Sequence, residues 1–138
     1  MKVLIIAVAM LTLGHRSNTP NTEDQVKKVV EDFILATDEQ NAEKLAATLN
    51  DKAMQYVIFG PNLLTFTKQE YVDQIKAKKV GGQPREVKFQ EMLLSDEAVA
   101  TVQLTATSSV IRFHYQVTLL KNQEQWQIVA ISTKAERL

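Results

Sequence analysis

One histidine, three tyrosines and a tryptophan are the side chains best equipped for chemistry inside this sequence. His114 lies in an alternating run and shares its parity with Arg112 and Gln116. An imidazole there can donate or accept a proton near neutral pH, which makes His114 the first catalytic candidate. The competing reading is a sheet surface turned to solvent or to a second copy. The opposite parity (Ile111, Phe113, Tyr115, Val117, Leu119) is more core-like and carries one polar tip, the Tyr115 phenol. Together Phe33, Tyr56, Tyr71, His114, Tyr115 and Trp126 form the candidate ligand-binding set. The aromatic members supply apolar bodies with hydrogen-bonding ends, although core packing would use the same residues.

Carboxylates inside the fold are the other candidates for a general base. Asp32 lies off the apolar stripe of its segment, and Asp38 falls in a polar break. Neither is paired with an apolar strand position, so the sequence gives neither a reason for a raised pKa. Ser108 and Ser109 could join His114 in a triad only from a polar turn. Metal chemistry lacks ligands: there is one internal histidine and no His/Asp cluster at useful spacing. Gly81-Gly82 follows a helical segment rather than preceding one, which does not fit phosphate cradling. The absence of cysteine excludes disulfides, thiol catalysis and zinc–thiolate sites. No cofactor is expected.

These residues need elements to position them, and the hydrophobic periods supply them. After Asn21 or Thr22 as cap, Val26, Val29, Val30, Phe33, Ile34 and Thr37 follow helical spacing, with Lys27, Lys28, Glu31 and Asp32 opposite. Asn41 caps a short second helix that turns Ala42, Leu45, Ala46 and Leu49 inward and ends at Asn50-Asp51. Met54–Phe59 and Leu63–Phe66 read as a hairpin around Gly60-Pro61-Asn62. Thr67-Lys68-Gln69-Glu70 has capping-box spacing and opens a third helix, with Tyr71, Val72 and Ile75 inward and Gly81-Gly82 as its stop. From Val87 onward, period-two alternation between short turns predicts an antiparallel meander, its last strand running from Trp126 to about Thr133.

A length of 138 residues fits one domain with a core of its own. Formal net charge is +0 and no basic block appears, which argues against nucleic acid as a partner. Met1-Lys2 followed by the apolar run Val3–Leu13 describes a secretory signal peptide, too short to cross a bilayer as a helix. The expected organisation is therefore a signal peptide over 1–14, a linker over 15–22 and one domain over 23–138. Export to the periplasm or medium follows, with no stable membrane insertion after cleavage. A buried first strand is the competing reading.

The stretch Phe113-His114-Tyr115-Gln116-Val117-Thr118-Leu119-Leu120-Lys121, a polar turn, and Trp126-Gln127-Ile128-Val129 resembles the C-terminal hairpin of the nuclear transport factor 2-like superfamily. Within it the match is to the branch called "putative lumazine-binding", related to the SnoaL-like proteins. Val29, Phe33, Ala42, Leu45 and Leu49 fall where that family packs its first two helices. The chain departs from the branch at Tyr115-Gln116, Glu124-Gln125 and Ala130, where the branch often carries Asp-Tyr, Asp-Gly and Asn. The resemblance implies an α+β cone: a curved antiparallel sheet on N-terminal helices, in the order α-α-β-β-α-β-β-β-β. It also implies a pocket between sheet and helices, and frequently a homodimer through the open sheet face. The leading expectation is a non-catalytic, exported protein that binds a small apolar or aromatic ligand. A lyase or isomerase of the dehydratase or ketosteroid type, using His114, is the second reading, and an interaction module is the third.

Overall fold

Helix α1 (Thr22–Asp38) forms because its cap and its stripe agree. The Asn21 side chain accepts the backbone N–H of Asp24 at 2.8 Å, and Glu23 and Asp24 face the positive end of the helix. Val26, Val30, Phe33, Ile34 and Thr37 recur on one buried face. This is a computed structural model, and it describes residues 21–138. The expected signal peptide and most of the linker lie outside the described residues.

Helix α2 (Ala42–Thr48) is capped by Asn41, which accepts from the Lys44 N–H at 3.0 Å. It ends earlier than its periodicity suggests. Leu49 already opens strand β1 (Leu49–Phe59), and Asn50-Asp51 lie within that strand's irregular first half, where its register on β6 shifts. Strand β2 (Asn62–Thr67) returns antiparallel to β1. Helix α3 (Lys68–Lys76) starts on the expected capping box: Glu70 N–H donates to Thr67 Oγ1, and Thr67 N–H donates to Glu70 Oε1. Its stop is not Gly81-Gly82. The helix closes at Ala77, and Lys78 takes the left-handed turn at φ +58°.

Strands β3 (Glu86–Ser95), β4 (Val99–Thr107), β5 (Ile111–Asn122) and β6 (Gln125–Arg137) form the meander. The six strands lie in the order β2-β1-β6-β5-β4-β3. Every neighbouring pair is antiparallel except β1 with β6, which is parallel and makes the sheet mixed. That pairing carries β6 past Thr133, because Ile58 and Phe59 pair with Lys134 and Ala135. The sheet is not closed, so β2 and β3 are its edges. Helix α1 packs on β6 and β3, and α3 on β1 and β2.

The core sits between the helices and the inner sheet face. Val102, Leu104, Val117, Leu119, Ile128 and Ile131 meet Val26, Val30, Phe33, Leu45 and Ile75, all almost fully buried. At one end an aromatic chain continues outward. Phe33 stacks on Tyr71 with centroids 6.2 Å apart and meets Tyr115 edge-on at 6.3 Å. Tyr71 packs against Phe66, and Tyr115 stacks on Phe113. Such pairs stabilise beyond their burial and fix ring orientation.

Candidate functional site

Beyond the aromatic chain the sheet and helices part around a cavity of about 520 Å³. Its apolar wall comes from β1, β2, β5 and β6: Val57, Phe59, Leu64, Phe66, Phe113 and Ala135. Its polar side is built at the end of α1 and in the segment between α3 and β3, where Asp38, Lys79, Gln83 and Arg85 meet Tyr71 and Tyr115.

Arg85 organises this polar side. Its Nε donates to Asp38 Oδ1 at 2.6 Å, and its backbone N–H donates to Asp38 Oδ2 at 3.1 Å, so both carboxylate oxygens are engaged by one residue. Its Nη1 donates to the Tyr115 hydroxyl at 2.6 Å. The guanidinium lies 4.9 Å from the Phe113 ring centroid and 5.8 Å from that of Tyr115. The side chains of Arg85 and Asp38 are only 5% and 9% exposed. Among the described residues Arg85 Nη2 is buried without a partner, and so is Thr133 Oγ1 on the same cavity wall. A buried donor left unpaired costs free energy, and native folds keep few of them.

Local geometry explains why Arg85 reaches Asp38 across 47 residues of chain. The segment after α3 folds back onto the end of α1. Gln40 Nε2 donates to the Val80 carbonyl at 3.0 Å, and Gly82 N–H donates to the Thr37 carbonyl at 3.3 Å. Gly81 has φ +78°, and a Cβ there would overlap the Thr37 carbonyl. Only glycine allows so close an approach in that conformation.

Burial sets the protonation of the site. It raises the Asp38 carboxyl above its ordinary value, against the opposing charge and hydrogen bonds of Arg85. Burial raises the Tyr115 phenol, again against Arg85. For Arg85 burial acts downward, but interactions with Tyr115 and Asp38 outweigh it and the guanidinium stands above its ordinary value. Burial pushes Tyr71 up to about 12, only partly offset by the neighbouring Thr37 and Gln55 side chains. At neutral pH both phenols therefore keep their protons and can donate to a ligand.

The structure brings some of the expected ligand-binding residues together and separates others. Tyr71 and Tyr115 line the cavity, and Phe33 is fully buried in contact with both rings. Tyr56 is 42% exposed on the outer sheet face, where it pairs with Thr65. His114 also lies on the outer face, because its parity is opposite to that of Phe113 and Tyr115. It lines a polar groove with Glu86, Lys88, Thr105 and Arg112, and its Nε2 is 3.1 Å from Glu136 Oε1. His114 and Tyr115 leave the strand on opposite faces, so His114 does not line the cavity that Tyr115 lines. Trp126 is buried at the far end, beside Val29, Lys44 and Ala47.

Asp38 corrects a further expectation, because it is buried and its carboxyl is raised. No local sequence signal marks Arg85. A lone arginine after proline in a connecting segment carries no periodic signal, and its partner lies far away in sequence. The Gly81-Gly82 pair was the available clue: glycines well past a helix end mark a close backbone approach.

A half-open sheet on three helices, with a cavity between them, defines the nuclear transport factor 2-like class. The family model described as "Putative lumazine-binding" matches residues 21–132, and the chain belongs to that family. Solved structures agree on the fold. A nuclear transport factor 2-like protein of unknown function from Silicibacter pomeroyi is 15% identical with a TM-score of 0.71, covering 86% of this chain and 100% of the other. One from Shewanella baltica is 15% identical with a TM-score of 0.73, covering 86% and 98%. A ketosteroid isomerase-like protein from Erwinia carotovora atroseptica is 14% identical with a TM-score of 0.66, covering 81% and 94%. No curated protein matches the sequence.

Proposed function

We propose that this chain is an exported protein that holds a small, partly aromatic ligand in the cavity without turning it over. The observation that carries this reading is the engagement of both Asp38 oxygens by Arg85 beside an aromatic wall. A carboxylate committed in this way orients a guanidinium instead of waiting for a substrate proton. The family's description points in the same direction, towards binding of a flat heteroaromatic molecule. No cofactor is needed for such a role. A ligand at one hundred times its Kd would stabilise the fold by about 2.7 kcal/mol, so a thermal-shift screen of aromatic metabolites tests the reading. A saturable shift that Phe113→Ala weakens supports it. No shift across the panel removes it.

One observation favours a second reading, proton transfer of the isomerase kind. Asp38 lines the cavity with its carboxyl raised by burial, which is how enzymes poise a general base. Asp38 would replace His114 in that role. Deuterium exchange from D2O into a cyclic ketone, abolished in Asp38→Asn, would support it; exchange at the buffer rate would exclude it.

Two further parts of the proposal rest on the sequence and the outer face. Export is supported by the charged start and the Val3–Leu13 run, and N-terminal sequencing of exported protein tests it. Homodimerisation through the outer sheet face is supported by the exposed Tyr56, Ile58 and Leu63 on one edge of that face. Sedimentation over a range of concentrations tests this. Among the described residues no helix is long and apolar enough to cross a membrane.

A further inference from the structure

The charged groups of the cavity do not balance. Asp38 contributes one carboxylate, Arg85 and Lys79 two cations, and among the described residues no other acidic or basic side chain lines the space. Asp38 offsets Arg85 at close range, leaving Lys79 as the net positive charge. Lys79 makes no ion pair among the described residues, while Arg85 and Asp38 are locked together. Lys79 is an exposed residue, so the excess positive charge stands at the cavity rim.

The guanidinium is also only partly used. Nε serves Asp38 and Nη1 serves Tyr115, but Nη2 is buried without an acceptor. The Thr133 hydroxyl, on the same wall, is likewise buried and unpartnered. Both atoms lack surface open to a water-sized probe, so an acceptor in the cavity meets them only where the side chains shift toward it. A ligand that brings an acceptor satisfies Nη2, and an anionic acceptor does so with a charge-assisted bond, the stronger kind. The remaining surface is aromatic: Phe59, Phe66, Tyr71, Phe113 and Tyr115 all contribute.

We infer that the ligand is an aromatic monoanion, its acid group received by the free edge of the Arg85 guanidinium and the Thr133 hydroxyl, with Lys79 matching its charge. This rests on the ligand-binding reading and narrows it to a chemical class. A carboxylate suits the site better than a dianionic phosphate, because one excess cation matches one charge. The aromatic wall selects a flat body over a flexible chain.

Three probes of known chemistry test this by titration calorimetry on the full chain. They are 2-naphthoate, its neutral isostere 2-naphthamide, and decanoate. The expected order is naphthoate tightest, with the amide at least tenfold weaker and decanoate weaker than naphthoate. Thr133→Val keeps the shape of a buried side chain and removes the orphaned hydroxyl. It should weaken naphthoate severalfold and the amide by less, because a bond to a charged acceptor is the stronger one. Lys79→Gln alters a site with no ion-pair partner and should narrow the gap between acid and amide. Arg85→Lys should abolish the discrimination if it folds; the other two variants keep the test independent of that. Equal affinity for acid and amide overturns the anion assignment while leaving ligand binding intact. Decanoate binding more tightly than naphthoate overturns the aromatic assignment. No binding by any probe overturns both this inference and the reading beneath it.

Discussion

The two faces of the sheet carry similar chemical inventories and use them in opposite ways. On the inner face Asp38, Arg85 and Tyr115 are buried and locked at 2.6–3.1 Å. On the outer face Arg112, His114 and Glu136 also form a charged cluster, at 3.1–3.6 Å, but its side chains are more than 40% exposed. Water screens the outer cluster and lets its members exchange partners, so such pairs contribute little. The inner cluster lies where screening is weak and an unpaired charge is expensive. A residue's chemistry therefore predicts its role poorly until its face is known, and here a single step along β5, from His114 to Tyr115, decides it.

The largest expected effect comes from breaking the inner cluster. Arg85→Ala leaves the Asp38 carboxylate buried without its cation and should destabilise the fold by about 3–5 kcal/mol in urea denaturation. Asp38→Asn should cost less, about 1–2 kcal/mol, because an amide oxygen can still accept from Arg85 Nε. Arg85 would also keep Tyr115 and the Phe113 face. Equal losses in the two variants would mean that an unpaired guanidinium is as costly here as an unpaired carboxylate. Arg112→Ala on the outer face should leave the midpoint nearly unchanged.

The next effect separates two glycines. Gly81→Ala places a Cβ against the Thr37 carbonyl and holds alanine at φ +78°, so the segment carrying Arg85 must shift. A loss of about 3 kcal/mol, with weaker ligand binding, is expected. Gly60 in the β1–β2 turn has φ +59° but open space around its Cβ position, so Gly60→Ala should cost about 1 kcal/mol and leave binding alone. Similar losses in both would mean that the approach of Gly81 to α1 is not what positions Arg85.

These two glycines also mark how far the sequence could be read. Gly60 sits in a turn that Pro61 and Asn62 announce, and the hairpin was legible from local chemistry alone. The capping box at Thr67 and Glu70 and the alternation past Val87 were legible for the same reason: each signal lies within a few residues of its consequence. Gly81 looked like a helix stop because glycine does stop helices. Its actual partner is Thr37, more than forty residues away, which no local rule supplies. Tyr71 and Tyr115 could be nominated because aromatic residues on the core parity are expected near a cavity. Arg85 and the burial of Asp38 could not, since both depend on a segment docking against a helix end.

A smaller effect is expected at alkaline pH. Tyr71, raised to about 12, keeps its proton in the fold where an unfolded chain with an ordinary value near 10 has lost it. Its raised pKa gives stability that is complete below pH 10 and disappears as pH rises through 12. At pH 11 the loss is about 1.4 kcal/mol from this group. Denaturation midpoints of the natural chain should therefore fall between pH 8 and pH 11 more steeply than those of Tyr71→Phe. Parallel curves would place the Tyr71 hydroxyl in contact with solvent and open the cavity floor to water.

The smallest effect tests the outer face in acid. Glu136 is held below its ordinary value of 4.5, first by the hydrogen bond with His114, so its contribution is present above that value and fades as pH falls. Asp38 has the opposite sign. Its raised carboxyl favours the fold below its ordinary 3.8 and loses that advantage as pH rises through the raised value. Glu136→Gln should therefore flatten the acid limb of the stability curve slightly. Salt should erase that difference, because mobile ions reach an exposed pair. Any acid-limb change caused by Asp38→Asn should survive the same salt, because its carboxyl is buried against Arg85. If salt erased both, the cavity would be wet, and the distinction between the two faces would reduce to geometry without an energetic consequence.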